Sequence, residues 1–124
     1  MKKVWLVVVM CLFPVMSFAA SADLAWEANT ESDLAGYNIY RGNGACPVGP
    51  LQPLMVGGVQ ASVSAPSTGY TDSTVPVFDG ELCYELTAFD TSGNESLRSV
   101  RATTMVNLVP PVAPMGMTIG AVRQ

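Results

Sequence analysis

Residues 82–94 read Leu-Cys-Tyr-Glu-Leu-Thr-Ala-Phe-Asp-Thr-Ser-Gly-Asn, and this stretch decides the predicted fold. Apolar side chains alternate with other side chains over residues 82–89, which is typical of a half-buried β-strand. Asp90 can accept hydrogen bonds from the backbone amides that follow it, and Gly93 tolerates a positive φ, so residues 90–94 predict a turn between antiparallel strands. The face expected to point into the core carries Leu82, Tyr84, Leu86 and Ala88, and the opposite face carries Cys83, Glu85 and Thr87.

Three further runs have the composition of strands, at residues 24–27, 36–41 and 100–106. They are separated by clusters of Gly, Pro, Asn, Ser and Asp, which favour turns and loops. No apolar repeat of 3.6 residues persists for three turns, so the pattern indicates an all-β sandwich. The inward positions of the strands predict a core centred on Trp26, Tyr37, Ile39, Tyr84 and Leu86.

Residues 1–22 have the order of a secretory signal peptide. Lysines at positions 2 and 3 precede an apolar run over residues 4–13, and small residues follow at 20–22, after which we expect cleavage. An uncleaved membrane anchor is the alternative, but Pro14 interrupts the apolar run, and a segment this short is at the lower limit for spanning a bilayer. Cys11 lies inside the apolar run and is expected to leave with the signal peptide.

The composition of the mature chain restricts its partners and its location. Residues 23–106 are enough for one domain, and residues 107–124 form a Pro-rich linker and a tail. After residue 22 the chain holds four arginines, no lysine and ten acidic residues. Nucleic acids and anionic membranes attract basic surfaces, so neither is an expected partner. We expect a secreted, periplasmic or cell-surface protein with no stable membrane insertion after cleavage.

Two cysteines remain in the mature chain, Cys46 and Cys83. Disulfides persist in exported proteins, and two cysteines can pair in only one way. A metal pair or a reactive thiol is the alternative, but the chain has no histidine, and two cysteines alone do not make a zinc site. We therefore predict a structural disulfide between Cys46 and Cys83.

The residues that could carry catalysis are few. With no histidine, and no lysine after the signal peptide, acid–base or nucleophilic catalysis would depend on carboxylates alone. Asp79 and Glu81 flank a glycine, and Glu85 is expected to point outward, so a glycosidase-like carboxylate pair is conceivable. A solvated acidic edge is the simpler interpretation, because so small a domain has little room for a deep cleft. We expect no enzyme activity and no cofactor.

Polar and aromatic side chains elsewhere suggest weaker sites. Side-chain oxygens that could bind calcium are found at Asp72, Asp90, Asn94 and Glu95. Their spacing does not match that of a calcium-binding loop, and turn chemistry accounts for Asp90 and Asn94, so no metal site is predicted. Tyr40, expected on the outer face of its strand, could stack on a sugar or on a partner's side chain, or could be an isolated surface tyrosine.

Five stretches stand in a defined order along the chain: 24–27 (LAWE), 36–41 (GYNIYR), 69–72 (GYTD), 82–90 (LCYELTAFD) and 93–96 (GNES). Together they resemble strands B, C, E and F and the F–G turn of bacterial fibronectin type III domains. The resemblance implies an immunoglobulin-like sandwich, with strands A, B and E in one sheet and C′, C, F and G in the other. It also implies that the ends of strands C and F bring Cys46 and Cys83 together.

The chain departs from the family pattern at two places. The family usually has a tyrosine at the E–F corner, and this chain has Leu82 there, so the corner hydrogen bond is expected to be absent or supplied by another group. Strand B also begins beside the expected cleavage site, which leaves no residues for strand A. Residues 111–122, with Met115, Met117 and Ile119 on one face, look like a strand A displaced to the C-terminal side of the domain.

Residues 111–122 are expected to complete the sheet of a neighbouring molecule, because an unpaired strand B would be an open edge. The alternatives are a frayed tail, a parallel fold-back onto the chain's own strand B, and the start of the next domain of a longer tandem array.

Three functions are compatible with these features. The resemblance implies an exported, non-catalytic binding or spacer module that meets a protein or a polysaccharide at the cell surface. The displaced strand favours a self-associating filament subunit. An accessory domain of a polysaccharide-degrading system is the third, because domains of this family often accompany catalytic ones.

Overall fold

The computed structural model describes residues 20–42 and 46–124, and this part of the chain is all β. It contains no helix, and so none that could cross a membrane. The strands are β1 (Ala20–Ala25), β2 (Leu34–Arg41), β3 (Gln52–Pro53), β4 (Met55–Val56), β5 (Val59–Gln60), β6 (Ser62–Ser64), β7 (Gly69–Val75), β8 (Asp79–Asp90) and β9 (Ala102–Asn107).

The strands form antiparallel sheets that are consistent with a β-sandwich. The larger sheet has the order β3-β2-β8-β9, with β6 also paired to β2, and the smaller sheet consists of β1 and β7. Ile39 lies opposite Leu86 in the larger sheet, and Leu24 lies opposite Tyr70 in the smaller one. A short hairpin of β4 and β5 turns through Gly57, whose φ of 59° is a conformation that glycine adopts without steric cost.

The core between the sheets agrees in part with the predicted one. Tyr37, Ile39 and Tyr84 are buried as predicted, whereas Trp26 and Leu86 are only half-buried. Trp26 and Leu86 both line a hollow on the open side of the molecule, which explains their partial exposure. The buried cluster between the sheets consists of Ile39, Leu54, Ala61, Val75, Leu82 and Tyr84.

The outer face of the larger sheet is covered as well as its inner face. Cys83 and Thr87 are buried although they point away from the core, and Tyr40 is only 6% exposed. Leu51 packs with Tyr40 and Cys83 in a second small cluster. Periodicity alone could not show this cover, because it comes from a distant loop that folds across the sheet.

The first strand begins earlier than predicted. β1 starts at Ala20 and not at residue 24, with Ala20 opposite Val75 and Ala22 opposite Asp72. Ala20 and Ala22 also pack against the core. Cleavage after Ala22 would therefore remove the first half of β1. The remainder of the predicted signal peptide, with Pro14 and Cys11, lies outside the described residues.

The last strand and the segment after it also differ from their predicted bounds. β9 spans Ala102–Asn107, and the chain before it, which includes Val100, is irregular and exposed. The chain is anchored after β9 by two bonds, from the Leu108 amide to the Phe78 carbonyl and from the Val109 amide to Asp79. Residues 110–124 then form no strand, and every one of them is exposed.

Candidate functional site

One side of the sandwich is open, because both sheets end there. β9 is the last strand of the larger sheet, and β1 pairs with β7 alone among residues 20–42 and 46–124. The Trp26 amide donates to the Thr68 carbonyl over 3.1 Å, so Trp26 turns its backbone toward β7. Alternation along an antiparallel strand then directs the amide and carbonyl groups of Asp23 and Ala25 to the open side. Such a row of backbone groups can pair with an added strand.

A hollow of about 370 Å³ separates the two sheet edges on this side. Its walls come from β1, β8 and the chain leading into β9, and most of the side chains are apolar. They include Leu24, Trp26, Tyr84, Leu86, Val100 and Ala102. This hollow therefore offers apolar contacts directly beside the open edge of β1.

Two further hollows, of about 230 and 240 Å³, extend the first one along the molecule. The middle hollow shares Trp26, Leu86 and Ser99 with the first. The last hollow shares Ala88 with the middle one and reaches Asp90. Together they form an elongated depression, here named the side groove, which suits an extended chain better than a compact ligand.

Trp26, which lines the side groove, also carries a buried polar group without a partner in the described part of the chain. Its ring meets the Tyr37 ring edge to face, with centroids 5.2 Å apart. Its indole N–H is shielded from solvent but has no hydrogen-bond acceptor in the described part of the chain. A buried donor without an acceptor lowers the stability of the fold.

The exposed segment after β9 carries the apolar side chains that a groove of this kind could hold. Met115, Met117 and Ile119, predicted to form one face of a displaced strand, are all more than four-fifths exposed. The intervening residues are Gly116 and Thr118, which are small. In the single chain this segment lies outside every described sheet.

Asp72 belongs to a buried polar network that joins the two sheets. Its carboxylate accepts hydrogen bonds from the Tyr84 hydroxyl (2.7 Å), an Arg41 nitrogen (2.8 Å) and the Thr74 amide (2.9 Å). Burial raises the pKa of Asp72, but the bonds from Tyr84, Thr74 and Arg41 outweigh it and hold the pKa below its ordinary value. Burial, followed by the adjacent carboxylate, raises the pKa of the Tyr84 phenol well above its ordinary value.

The structure also shows what occupies the position at which the family resemblance predicted a corner tyrosine. Leu82 is buried in the core and offers no hydroxyl. Tyr84, two residues later, instead bonds from β8 to a side chain of β7. Because Asp72 is engaged by Arg41, Tyr84 and Thr74, the arrangement is that of a structural link between the sheets.

Tyr40 and Glu95 form a second polar cluster on the outer face. The Arg98 guanidinium stacks over the Tyr40 ring, 3.4 Å from its centroid. Glu95 accepts hydrogen bonds from the hydroxyls of Thr87 and Tyr40. These bonds, led by that from Thr87, hold the pKa of Glu95 below its ordinary value although partial burial opposes them. Tyr40 is therefore covered, and the sequence-based idea of an exposed stacking tyrosine is wrong.

The carboxylates considered for catalysis lie at different positions along β8 and have different partners. Asp79 accepts the Val109 amide over 3.0 Å. Glu85 accepts the Leu51 amide and lies within 3.5 Å of Arg98 and 3.6 Å of Arg101. Glu81 is exposed and lies opposite Met105. Glu85 thereby helps to hold the loop that covers the outer face.

The calcium candidates separate into different environments. Asp72 is buried with Arg41, whereas Asp90 accepts the amides of Ser92 and Asn94, each over 2.9 Å. The Asn94 side chain, followed by these amides, lowers the pKa of Asp90. This is the turn predicted from the sequence. Within the described residues no three His, Cys, Asp or Glu side chains are grouped so that they could hold a metal ion.

Cys46 and Cys83 lie at disulfide distance, with Cα atoms 5.7 Å apart. Cys83 is fully buried on β8, and Cys46 starts the loop that covers the outer face. An Arg101 nitrogen donates to the Gly49 carbonyl over 2.6 Å and holds the same loop. The disulfide therefore fixes the loop that buries Tyr40 and Leu51.

No family model matches the chain, and neither the curated proteins nor the solved structures contain a match for it.

Proposed function

We propose that this chain is an exported, non-catalytic binding module of the fibronectin type III kind that holds an extended polypeptide segment in its side groove. The observation that carries the proposal is the coincidence of an unpaired β1 edge with an elongated apolar depression. An added strand satisfies both features at once, because its backbone pairs with the edge while alternate side chains enter the hollow.

The chemistry of the groove favours a polypeptide over a sugar. Backbone amides and carbonyls on the open side of β1 suit a partner that carries the same groups in the same spacing. Polysaccharide binding relies on exposed aromatic rings, and Tyr40, the aromatic considered for that role, lies under Arg98. The accessory role in a polysaccharide-degrading system therefore loses its main supporting residue.

The proposed export agrees with the same function. The order of residues 1–22 is that of a signal peptide, and disulfides such as Cys46–Cys83 are rare in the reducing cytosol. We place the protein in the periplasm, on the cell surface or outside the cell. Its partner is then a protein segment that meets it there.

A display library of random twelve-residue peptides, screened against the protein, tests this proposal. Val100 lines the side groove and is 94% exposed, so Val100→Asp alters the groove without disturbing the core. Val48→Asp is the matched control, because Val48 is fully exposed on the loop that covers the outer face. Selected peptides should bind at least roughly tenfold more weakly to Val100→Asp, a change of about 1.4 kcal/mol, and equally well to Val48→Asp. Peptides that do not distinguish the two variants would refute the function.

A further inference from the structure

The 111–122 segment has the side-chain pattern of a strand that covers an apolar surface on one face only. Met115, Met117 and Ile119 alternate with Gly116 and Thr118. Their exposure, up to 93% for Met117, leaves a row of large apolar side chains in solvent. Monomeric proteins rarely expose such rows without a partner, so the segment calls for a surface that covers it.

The side groove matches this segment in chemistry. Its walls are largely apolar, and it continues from the edge of β1 at Asp23 past Trp26 to Asp33. Methionine side chains adapt to irregular apolar hollows, so Met115 and Met117 suit the groove. Gly116 and Thr118, on the other face of the segment, can remain in solvent.

The topology determines which copy of the segment can pair antiparallel with β1. β9 ends at Asn107 opposite Asp79, and β1 begins at Ala20 opposite Val75, so both positions lie at the same end of the sandwich. A segment that folded back from β9 into its own groove would run parallel to β1. A segment from another molecule, entering at the opposite end, runs antiparallel, which is the more stable pairing.

The prolines around the start of the segment disfavour folding back. Pro110 precedes the segment, and Pro111 and Pro114 lie within its first four residues. Each fixes φ and favours an extended polyproline conformation, which acts as a stiff spacer. The last anchoring bond, from the Val109 amide to Asp79, holds the start of this spacer at the end of the molecule. A stiff start disfavours the sharp reversal that folding back into the chain's own groove would need.

We propose that the occupant of the side groove is the 111–122 segment of a second copy of this chain, so that molecules join head to tail. This inference rests on the proposed function and names the partner. Each molecule offers one segment and one groove, and the two surfaces differ. The contacts are therefore heterologous and do not close on themselves, which produces linear chains of molecules.

Two substitutions in the full chain disable the two surfaces separately. Met117→Asp places a charge on the inserted face of the segment, and Thr118→Asp, on the solvent face, is its matched control. Val100→Asp disables the groove, and Val48→Asp is its control. All four side chains lie outside the buried clusters, so the monomer should fold in every variant. Light scattering coupled to size-exclusion chromatography then reports the mass.

The wild-type protein and the two control variants should form a concentration-dependent series of oligomers, and Met117→Asp and Val100→Asp should each remain monomeric. An equimolar mixture of these two monomers is the decisive experiment. The intact segment of the Val100→Asp chain should enter the intact groove of the Met117→Asp chain, and growth should stop at a one-to-one dimer because no second pair of intact surfaces remains.

Other outcomes overturn the inference in distinguishable ways. A wild-type protein that stays monomeric at high concentration, or a mixture that yields no dimer, rules out exchange between copies. If the monomer is instead destabilised by Met117→Asp but not by Thr118→Asp, the segment occupies its own groove. If library peptides still bind in a Val100-dependent manner, only the identity of the occupant is wrong. If no peptide depends on Val100, the proposed function fails as well.

Discussion

The buried Asp72 carboxylate allows a direct test of how the two sheets are held together. Asp72 has no exposed surface and accepts bonds from Arg41, Tyr84 and Thr74. Asp72→Asn keeps the shape of the side chain but removes the negative charge opposite the Arg41 guanidinium. It also replaces one acceptor oxygen by a donor that faces other donors.

The expected cost follows from this geometry. Removing one partner of a buried ion pair typically costs about 3–5 kcal/mol. The Arg41 side chain is 10% exposed and therefore keeps some hydration, so we expect the lower end of that range, about 3 kcal/mol. A domain of this size is stable by only about 5–15 kcal/mol, so the variant should unfold at much lower denaturant concentration. Tyr84→Phe, which removes a single bond to the same carboxylate, should cost about 1.5–3 kcal/mol.

Urea unfolding monitored by Trp26 fluorescence measures this cost. Asp23→Asn is the matched control, because Asp23 is exposed and accepts one bond from Thr71 over 2.7 Å. We expect the control to lie within about 0.5–1 kcal/mol of wild type. If Asp72→Asn is no less stable than Asp23→Asn, the carboxylate does not link the sheets and the reasoning fails.

The pH dependence provides a second readout of the same link. Since the folded pKa of Asp72 lies below its ordinary value of 3.8, its contribution to stability is complete well above pH 3.8. It is lost as the pH falls below 3.8 through the folded pKa, where the native state must also take up the proton. The wild-type protein should therefore lose stability over this acidic range, and Asp72→Asn should lose less. Parallel pH profiles for the two proteins would contradict the assignment.

Two further predictions concern the disulfide and the core. Thiol labelling of the unfolded, unreduced protein should find neither Cys46 nor Cys83 reactive, and labelling of both would contradict the pairing. Reduction of the disulfide should lower the free energy of unfolding by about 3–4 kcal/mol in the chain-entropy description. Ile39→Ala should destabilise the protein by about 2–5 kcal/mol because Ile39 is fully buried. Trp26→Ala should destabilise it less, because Trp26 is half-buried and lines the groove. A lower melting temperature for Trp26→Ala than for Ile39→Ala would show that the groove is misassigned.

The sequence by itself determined the elements whose signals are local. Alternation over residues 82–89 predicted the inward face of β8, and the Asp90 carboxylate and Gly93 predicted the turn that follows it. Two cysteines in the mature chain left one possible disulfide pair, which the structure brings to disulfide distance. The alternation of Met115 and Met117 is visible without coordinates because a strand's faces depend only on spacing.

Only the tertiary structure decided which faces are covered and where the molecule remains open. Tyr40 and Cys83 occupy outward positions, yet they are buried because the loop from Cys46 to Leu51 folds across them, and no local pattern encodes that contact. The Asp72 network joins the consecutive strands β7 and β8 to Arg41 of β2, which lies 31 residues before Asp72 in the sequence. The side groove exists because β1 and β9 end two different sheets on one side, a consequence of strand order and not of any single strand's composition.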